Sequence, residues 1–203
     1  SSDGGGTWAP TGPGINETDI RVLVVDPPSP ATVYAGTNGG GVFRSTDSSA
    51  TWASRSTGLT NAIVWALAID PVIAGTLYAG TDGGIFRTTD GGATWAPRGA
   101  SVSSQVRGLA IDPAAPTTIY AASNGVYRSS DGGATWTVRN TGLTSAAALA
   151  TRALAVDPSD VATVLVGTDA GMFQSTNSGD TWGSRSAGLA NTSIGPVAVD
   201  PAT

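Results

Sequence analysis

The side chains that could do chemistry in this chain are few in kind. Its 203 residues include no cysteine, histidine or lysine, so all 10 basic residues are arginines, set against 15 carboxylates and 4 tyrosines. Thiol nucleophiles, histidine-based triads, ordinary zinc sites and Schiff bases are therefore closed to it. Three arginines, Arg21, Arg107 and Arg152, each stand five residues before an Asp-Pro pair, and Trp65 takes the same place in another stretch. A guanidinium is a rigid fork of N–H donors, and an indole offers a flat stacking surface for a sugar or peptide. These four are the candidate ligand-binding residues. Glu17, the single glutamate, and Asp19 join them as an acidic pair two residues apart. Carboxylates that invert a glycosidic bond stand roughly 6.5–9.5 Å apart on opposite sides of the sugar, which one short loop supplies poorly. No residue is expected to be catalytic, and neither a metal nor a cofactor is implied.

The elements that would hold these residues come from a repeat. Val106 to Trp136 reads VRGLAIDPAAPTTIYAASNGVYRSSDGGATW, and close versions run from Ile20 to Trp52, Val64 to Trp95 and Thr151 to Trp182. Asp-Pro pairs begin at Asp26, Asp70, Asp112, Asp157 and Asp200, in steps of 44, 42, 45 and 43 residues. A second motif, S/T-x-D-x-G-x-x-W, begins at Ser1, Ser45, Thr88, Ser129 and Ser175. A step of ~40–45 residues holding four short strands is what one propeller blade requires.

Each repeat parses as four strands. In the third these are Gly108–Ile111, Thr118–Ala121, Val126–Arg128 and a last strand near Trp136. The innermost strand alternates small and large residues, as expected where strands crowd about an axis. With 28 glycines and 12 prolines, the composition favours tight turns over helices. The expected fold is all-β: one β-propeller domain over 1–203, with antiparallel four-stranded blades at about 20–56, 64–99, 106–140 and 151–186. The terminal pieces, 1–12 and 195–203, would supply the outer strand (Thr7–Ala9) and inner strand (Pro196–Asp200) of an incomplete fifth blade. The chain then reads as an excerpt of a larger propeller, whose open edges invite association with another chain.

The S/T-x-D-x-G-x-x-W motif resembles the Asp-box, or BNR repeat, of sialidases, xyloglucan hydrolases, sortilin-type receptors and photosystem assembly factors. The resemblance covers the whole chain. It implies a hairpin between the third and fourth strands of each blade, with Asp3, Asp47, Asp90, Asp131 and Asn177 gathering turn N–H groups. Trp8, Trp52, Trp95, Trp136 and Trp182 would pack between neighbouring hairpins. Ser49 in place of glycine and Asn177 in place of aspartate mark the boxes expected to be least rigid. Asp82 and Asp169 share a position with Asn38 and Asn124, which reads as turn chemistry. Arg44, Arg87 and Arg128, just before the boxes, and Arg55, Arg98, Arg139 and Arg185, just after, read as surface residues pairing with turn carboxylates.

Sialidases need a tyrosine nucleophile with a glutamate partner, and all four tyrosines here occupy repeat positions inside strands. The expectation is therefore a noncatalytic binding or interaction module that takes a protein or glycan on the blade-connecting loops. The alternative is a fragment of a secreted glycoside hydrolase without its catalytic residues. A formal charge of −5 suits neither nucleic acid nor an anionic membrane surface, and no apolar run would insert into a bilayer. The resemblance places the chain outside the cytoplasm.

Overall fold

A computed structural model describes residues 5–7, 12–17, 19–190 and 192–200. Four sheets of four antiparallel strands follow one another along the chain. The first holds β1 (Ile20–Val25), β2 (Val33–Thr37), β3 (Val42–Ser45) and β4 (Ala53–Ser54). The second holds β5 (Val64–Ile69), β6 (Leu77–Thr81), β7 (Gly84–Thr88) and β8 (Ala96–Arg98). β9 (Gly108–Ile111), β10 (Ile119–Ala122), β11 (Val126–Ser129) and β12 (Thr137–Val138) form the third. A short helix, α1 (Ala146–Leu149), precedes the fourth: β13 (Thr151–Val156), β14 (Val164–Thr168), β15 (Gly171–Ser175) and β16 (Gly183–Ser184). Strands pair in sequence order within each sheet, so every sheet is a meander.

The Asp-Pro turn links the first two strands of each blade. Asp70 Oδ1 accepts the N–H groups of Val72 and Ile73, both at 2.9 Å, and Asp112 repeats this with Ala114 and Ala115. In the first blade the residue two beyond Asp26 is Pro28, which has no N–H, and Asp26 Oδ1 is left buried without a partner.

The box turn links the last two strands, and its chemistry divides between two side chains. Ser129 Oγ accepts from Gly133 N at 2.9 Å and Asp131 N at 3.3 Å and donates to Asp131 Oδ1, which exhausts the hydroxyl. Asp131 itself accepts from the backbone and hydroxyl of Thr135. Thr88 with Asp90, and Ser45 with Asp47, repeat the pattern. Hydrogen bonds from Thr51, Thr94 and Thr135 lower the Asp47, Asp90 and Asp131 carboxyls to about 2. The two variant boxes keep the arrangement. Ser48 and Ser49 take φ of +56° and +71° where Gly132 and Gly133 take +68° and +81°. Asn177 Oδ1 accepts from Thr181 N, while its Nδ2 donates to the Thr181 hydroxyl. Asp3 and Trp8 lie outside the described residues.

One packing rule joins the blades. The small face of one inner strand and the tyrosine of its second strand cover the large face of the next. Tyr78, Ala66 and Ala68 bury Leu109, and Tyr120 and Ala122 bury Leu154. Close approach needs glycine: a Cβ at Gly80 would lie 2.7 Å from the Val106 carbonyl oxygen. Tyr78 and Tyr120 then donate to the carbonyls of Gly132 and Ser178 in the next box turn, at 3.1 and 3.2 Å. The box tryptophans serve the same seam: Trp95 Nε1 donates to Arg55 O and Trp182 Nε1 to Arg139 O. Trp136 turns instead to Gly133 O of its own box. The connector after β8 lacks the Thr-Gly-Leu found at 57–59 and 141–143, so Trp136 meets a different neighbour.

Of the arginines before the boxes, Arg128 makes the expected pairing with a turn carboxylate, while Arg44 and Arg87 depart from it. Arg44 and Arg87 lie over the rings of Tyr34 and Tyr78, each at 5.6 Å, and their Nε atoms are buried. Arg128 reaches across the blade seam to Ser178 O at 2.7 Å and Asp180 at 3.4 Å, and Arg139 meets the same Asp180 at 3.1 Å.

The terminal pieces sit in repeat-equivalent places. Trp52 N donates to Pro13 O as Trp95 N does to Thr57 O and Trp182 N to Thr141 O. Ile194 N donates to Thr168 O as Val106 N does to Thr81 O, which sets 194–199 beside the fourth blade at an inner-strand position. None of the described terminal residues is in a strand, and the expected outer strand at Thr7–Ala9 lies largely outside the described residues.

Candidate binding site at the axial mouth

The starts of the inner strands, and the residue just before β9, gather the side chains of Arg21, Trp65, Arg107 and Arg152 around one cavity. The cavity has a volume of about 520 Å³ and is also lined by Leu67, Leu109, Leu154 and Gly195–Val197. A second hollow of about 430 Å³, between Gln105, Arg107, Asn124, Arg152 and Asp169, opens beside it on the loop side.

The ring is cross-linked. Arg21 lies 4.4 Å from the centroid of the Trp65 ring and Arg107 lies 5.3 Å from it, reaching in from the blades on either side. Trp65 Nε1 donates to Asp82 at 2.6 Å, and Gln105 Nε2 donates to the same carboxylate oxygen. Arg107 Nε donates to Gln105 Oε1. Arg152 holds Asp169 through Nε and Nη2, and Ser193 adds a hydroxyl at 3.0 Å. These bonds push the Asp169 carboxyl below its ordinary range, while the Asp169 hydrogen bond raises the Arg152 guanidinium. Arg21 donates to Asp19 at 2.8 Å, and Asn38 donates to the same oxygen at 2.9 Å.

Sequence reading assigned Asp82 and Asp169 to turn chemistry, and the structure corrects that. Both carboxylates reach up from the turn after the second strand to hold a ring residue. The available signal was their matching place in the second and fourth repeats, opposite Trp65 and Arg152. Trp65, expected as an exposed stacking surface, is half-buried beneath two guanidiniums. The Glu17 side chain lies against Gly39 and Gly40, and Asp19 belongs to the ring.

Asp19, Asp82 and Asp169 are each engaged by an arginine, an indole or an amide, so none is positioned as an unengaged general base. Arg107 forms no ion pair among the described residues; its guanidinium donates through Nε to Gln105, lies over Trp65, and lines both cavities. No group of three potential metal ligands occurs among the described residues, nor any helix long and apolar enough to cross a membrane.

No protein-family model matches the chain, and no curated protein matches it. Solved structures do. An ancestral GH74 enzyme is similar at 26% identity and a TM-score of 0.74, over 86% of this chain and 25% of that one. The extracellular domain of a hybrid two-component system from B. thetaiotaomicron is 18% identical with a TM-score of 0.64, over 85% and 22% of the two chains. YCF48 bound to D1 peptide gives 18% identity and a TM-score of 0.63, over 89% and 58%. The chain spans about a quarter of the GH74 enzyme it matches. Four consecutive antiparallel blades around one axis, shared with propellers of several kinds, make this chain a β-propeller.

Proposed function

We propose that this chain is a noncatalytic binding module of the Asp-box type, working outside the cytoplasm, whose ligand sits over the axial mouth. One observation carries the reading: the ring ties its carboxylates to ring side chains, while Arg107, in no ion pair among the described residues, lines two cavities. Such a site presents N–H donors and a braced indole edge to acceptor-rich chains, the chemistry of a glycan or an extended peptide. The turn geometry built on Ser129 and Asp131 supports the Asp-box reading, and the extracellular B. thetaiotaomicron neighbour supports the location.

A second reading rests on the 26% identity to the GH74 enzyme: a segment of a glycoside hydrolase whose acids lie elsewhere. One experiment separates the two. The 203-residue chain is applied to a glycan array containing xyloglucan oligosaccharides and to a peptide library, and release of new reducing ends is assayed in parallel. Capture that Arg107→Ala abolishes, with no release of reducing ends, supports the binding module. Capture confined to the xyloglucan oligosaccharides supports the hydrolase segment, and turnover lost in Glu17→Gln or Asp19→Asn contradicts both readings, since it would put the acids in this chain.

A further inference from the structure

Three of the four large inner-strand faces are covered by a neighbour. Leu67, Leu109 and Leu154 are 5%, 9% and 8% exposed, whereas the matching Leu23 of β1 is 60% exposed and Val25 is 51%. What covers the three buried leucines is constant: a second strand carrying a tyrosine, Tyr34, Tyr78 or Tyr120, in clusters rich in small side chains and valine. At two of these seams the tyrosine hydroxyl reaches the next box-turn carbonyl. On the first blade the equivalent carbonyl belongs to Ser48.

Lining the same cavity as Arg21 and Val22 of β1, residues 194–199 lie at an inner-strand position with only the Ile194 N–H bonded to the protein among the described residues. In each blade an inner strand is paired along its outward edge by the second strand, as Leu154 is with Val166. Here that edge is open, and Pro196 withholds one donor from it. Residues 12–14 meanwhile hold the connector position that follows an outer strand, with Trp52 N bonded to Pro13 O. The two pieces therefore bracket a place shaped for the middle strands of a blade.

The fourth blade's own middle strands are not made for such a seam. Leu165 stands where the other blades have tyrosine, and Gln174 stands in place of arginine, held by Arg185 at 2.7 Å. The strands best matched to Leu23 and the Ser48 carbonyl are those that carry both tyrosine and arginine.

We propose that the face between β1 and residues 194–199 is a docking site for an antiparallel β-ribbon. The first strand of that ribbon pairs with 194–199, and its tyrosine and small residues cover Leu23 and Val25. Recognition is by strand addition plus one side-chain pocket row, so main-chain pairing supplies affinity and the tyrosine supplies selectivity.

The test uses a synthetic peptide with the sequence of Thr117–Ser129, the middle strands of the third blade, added to the 203-residue chain. Binding is followed by titration, and association of the chain alone by sedimentation. Saturable one-to-one binding is expected. Tyr120→Leu in the peptide should weaken it by about tenfold, and Leu23→Asp in the chain should weaken it at least as much. Leu23 is exposed, so the variant's melting temperature should match the parent's, and Val25→Asp provides an independent second disruption. A peptide of Thr163–Ser175 should bind less tightly than Thr117–Ser129. The proposal is overturned by absence of binding to a monomeric chain, or by binding indifferent to Leu23→Asp and Val25→Asp. Self-association of the chain that the Thr117–Ser129 peptide fails to displace also overturns it, since the face would then take a second copy by other means.

Discussion

At the residue scale, the box motif separates into two jobs that its spelling does not distinguish. The aspartate looks like the organising residue, yet in the third box the buried Gly133 N–H is satisfied by Ser129, which is 1% exposed, while Asp131 serves the exposed Thr135. Ser129→Ala should therefore destabilise by about 1–3 kcal/mol, the cost of leaving a buried donor unpaired. Asp131→Ala should cost less; urea midpoints in the opposite order would reverse this assignment of roles. The carboxylates do leave a pH signature. Their folded pKa of about 2 lies below the ordinary 3.8, so their contribution is fully present above about 4 and is lost as pH falls toward 2. Replacing Asp90 and Asp131 by asparagine, which already works at Asn177, should flatten melting temperature against pH across that window. An undiminished acid limb in the double variant would mean that other groups set it. The same scale shows where sequence reading stopped short: residue type alone does not say that the Asp82 and Asp169 side chains reach the start of their own blade's inner strand.

At the element scale, the repeat made most of the architecture legible. The Gly108–Ile111 strand stands where the spacing put it, and the second and third strands of that blade run one residue later than read, to Ala122 and Ser129. The period fixes strand number and order because each element recurs at one offset from Asp-Pro and from the box. Departures fall where the repeat breaks. The Ala-rich stretch before Thr151 forms α1, capped by Ser145 accepting from Ala148 N, in a connector that has no counterpart in the other repeats. The seam between blades is the other thing the sequence did not spell out, since tyrosine, arginine and box turn come from repeats ~40 residues apart. Tyr78→Phe keeps the ring and removes the hydrogen bond to Gly132 O, so it should cost about 1 kcal/mol. Gly80→Ala should cost more, because its Cβ would meet the Val106 carbonyl oxygen, which belongs to backbone and cannot swing aside. Thermal melts of the two variants order them directly.

At the scale of the whole molecule, a propeller sets its repeats about one axis, and whatever the repeats place at the starts of their inner strands arrives at one mouth. Substitution at that single position, arginine three times and tryptophan once, made the mouth's residues findable by sequence alone. Their bonding was not findable, because it depends on which side chains neighbouring blades bring together: Arg21 and Arg107 onto Trp65, Gln105 between Arg107 and Asp82. The proposed binding role rests on that bonding. Gln105→Ala should free Asp82 and Arg107 to pair differently, and so change ligand affinity without creating turnover. The most direct test of the central claim is ligand capture by the Arg107→Ala chain on the glycan array and the peptide library, beside the parent and beside Glu17→Gln. The account predicts capture by the parent and by Glu17→Gln, none by Arg107→Ala, and no cleavage by any of them. Equal capture by Arg107→Ala, or cleavage of a captured glycan by the parent, would contradict it.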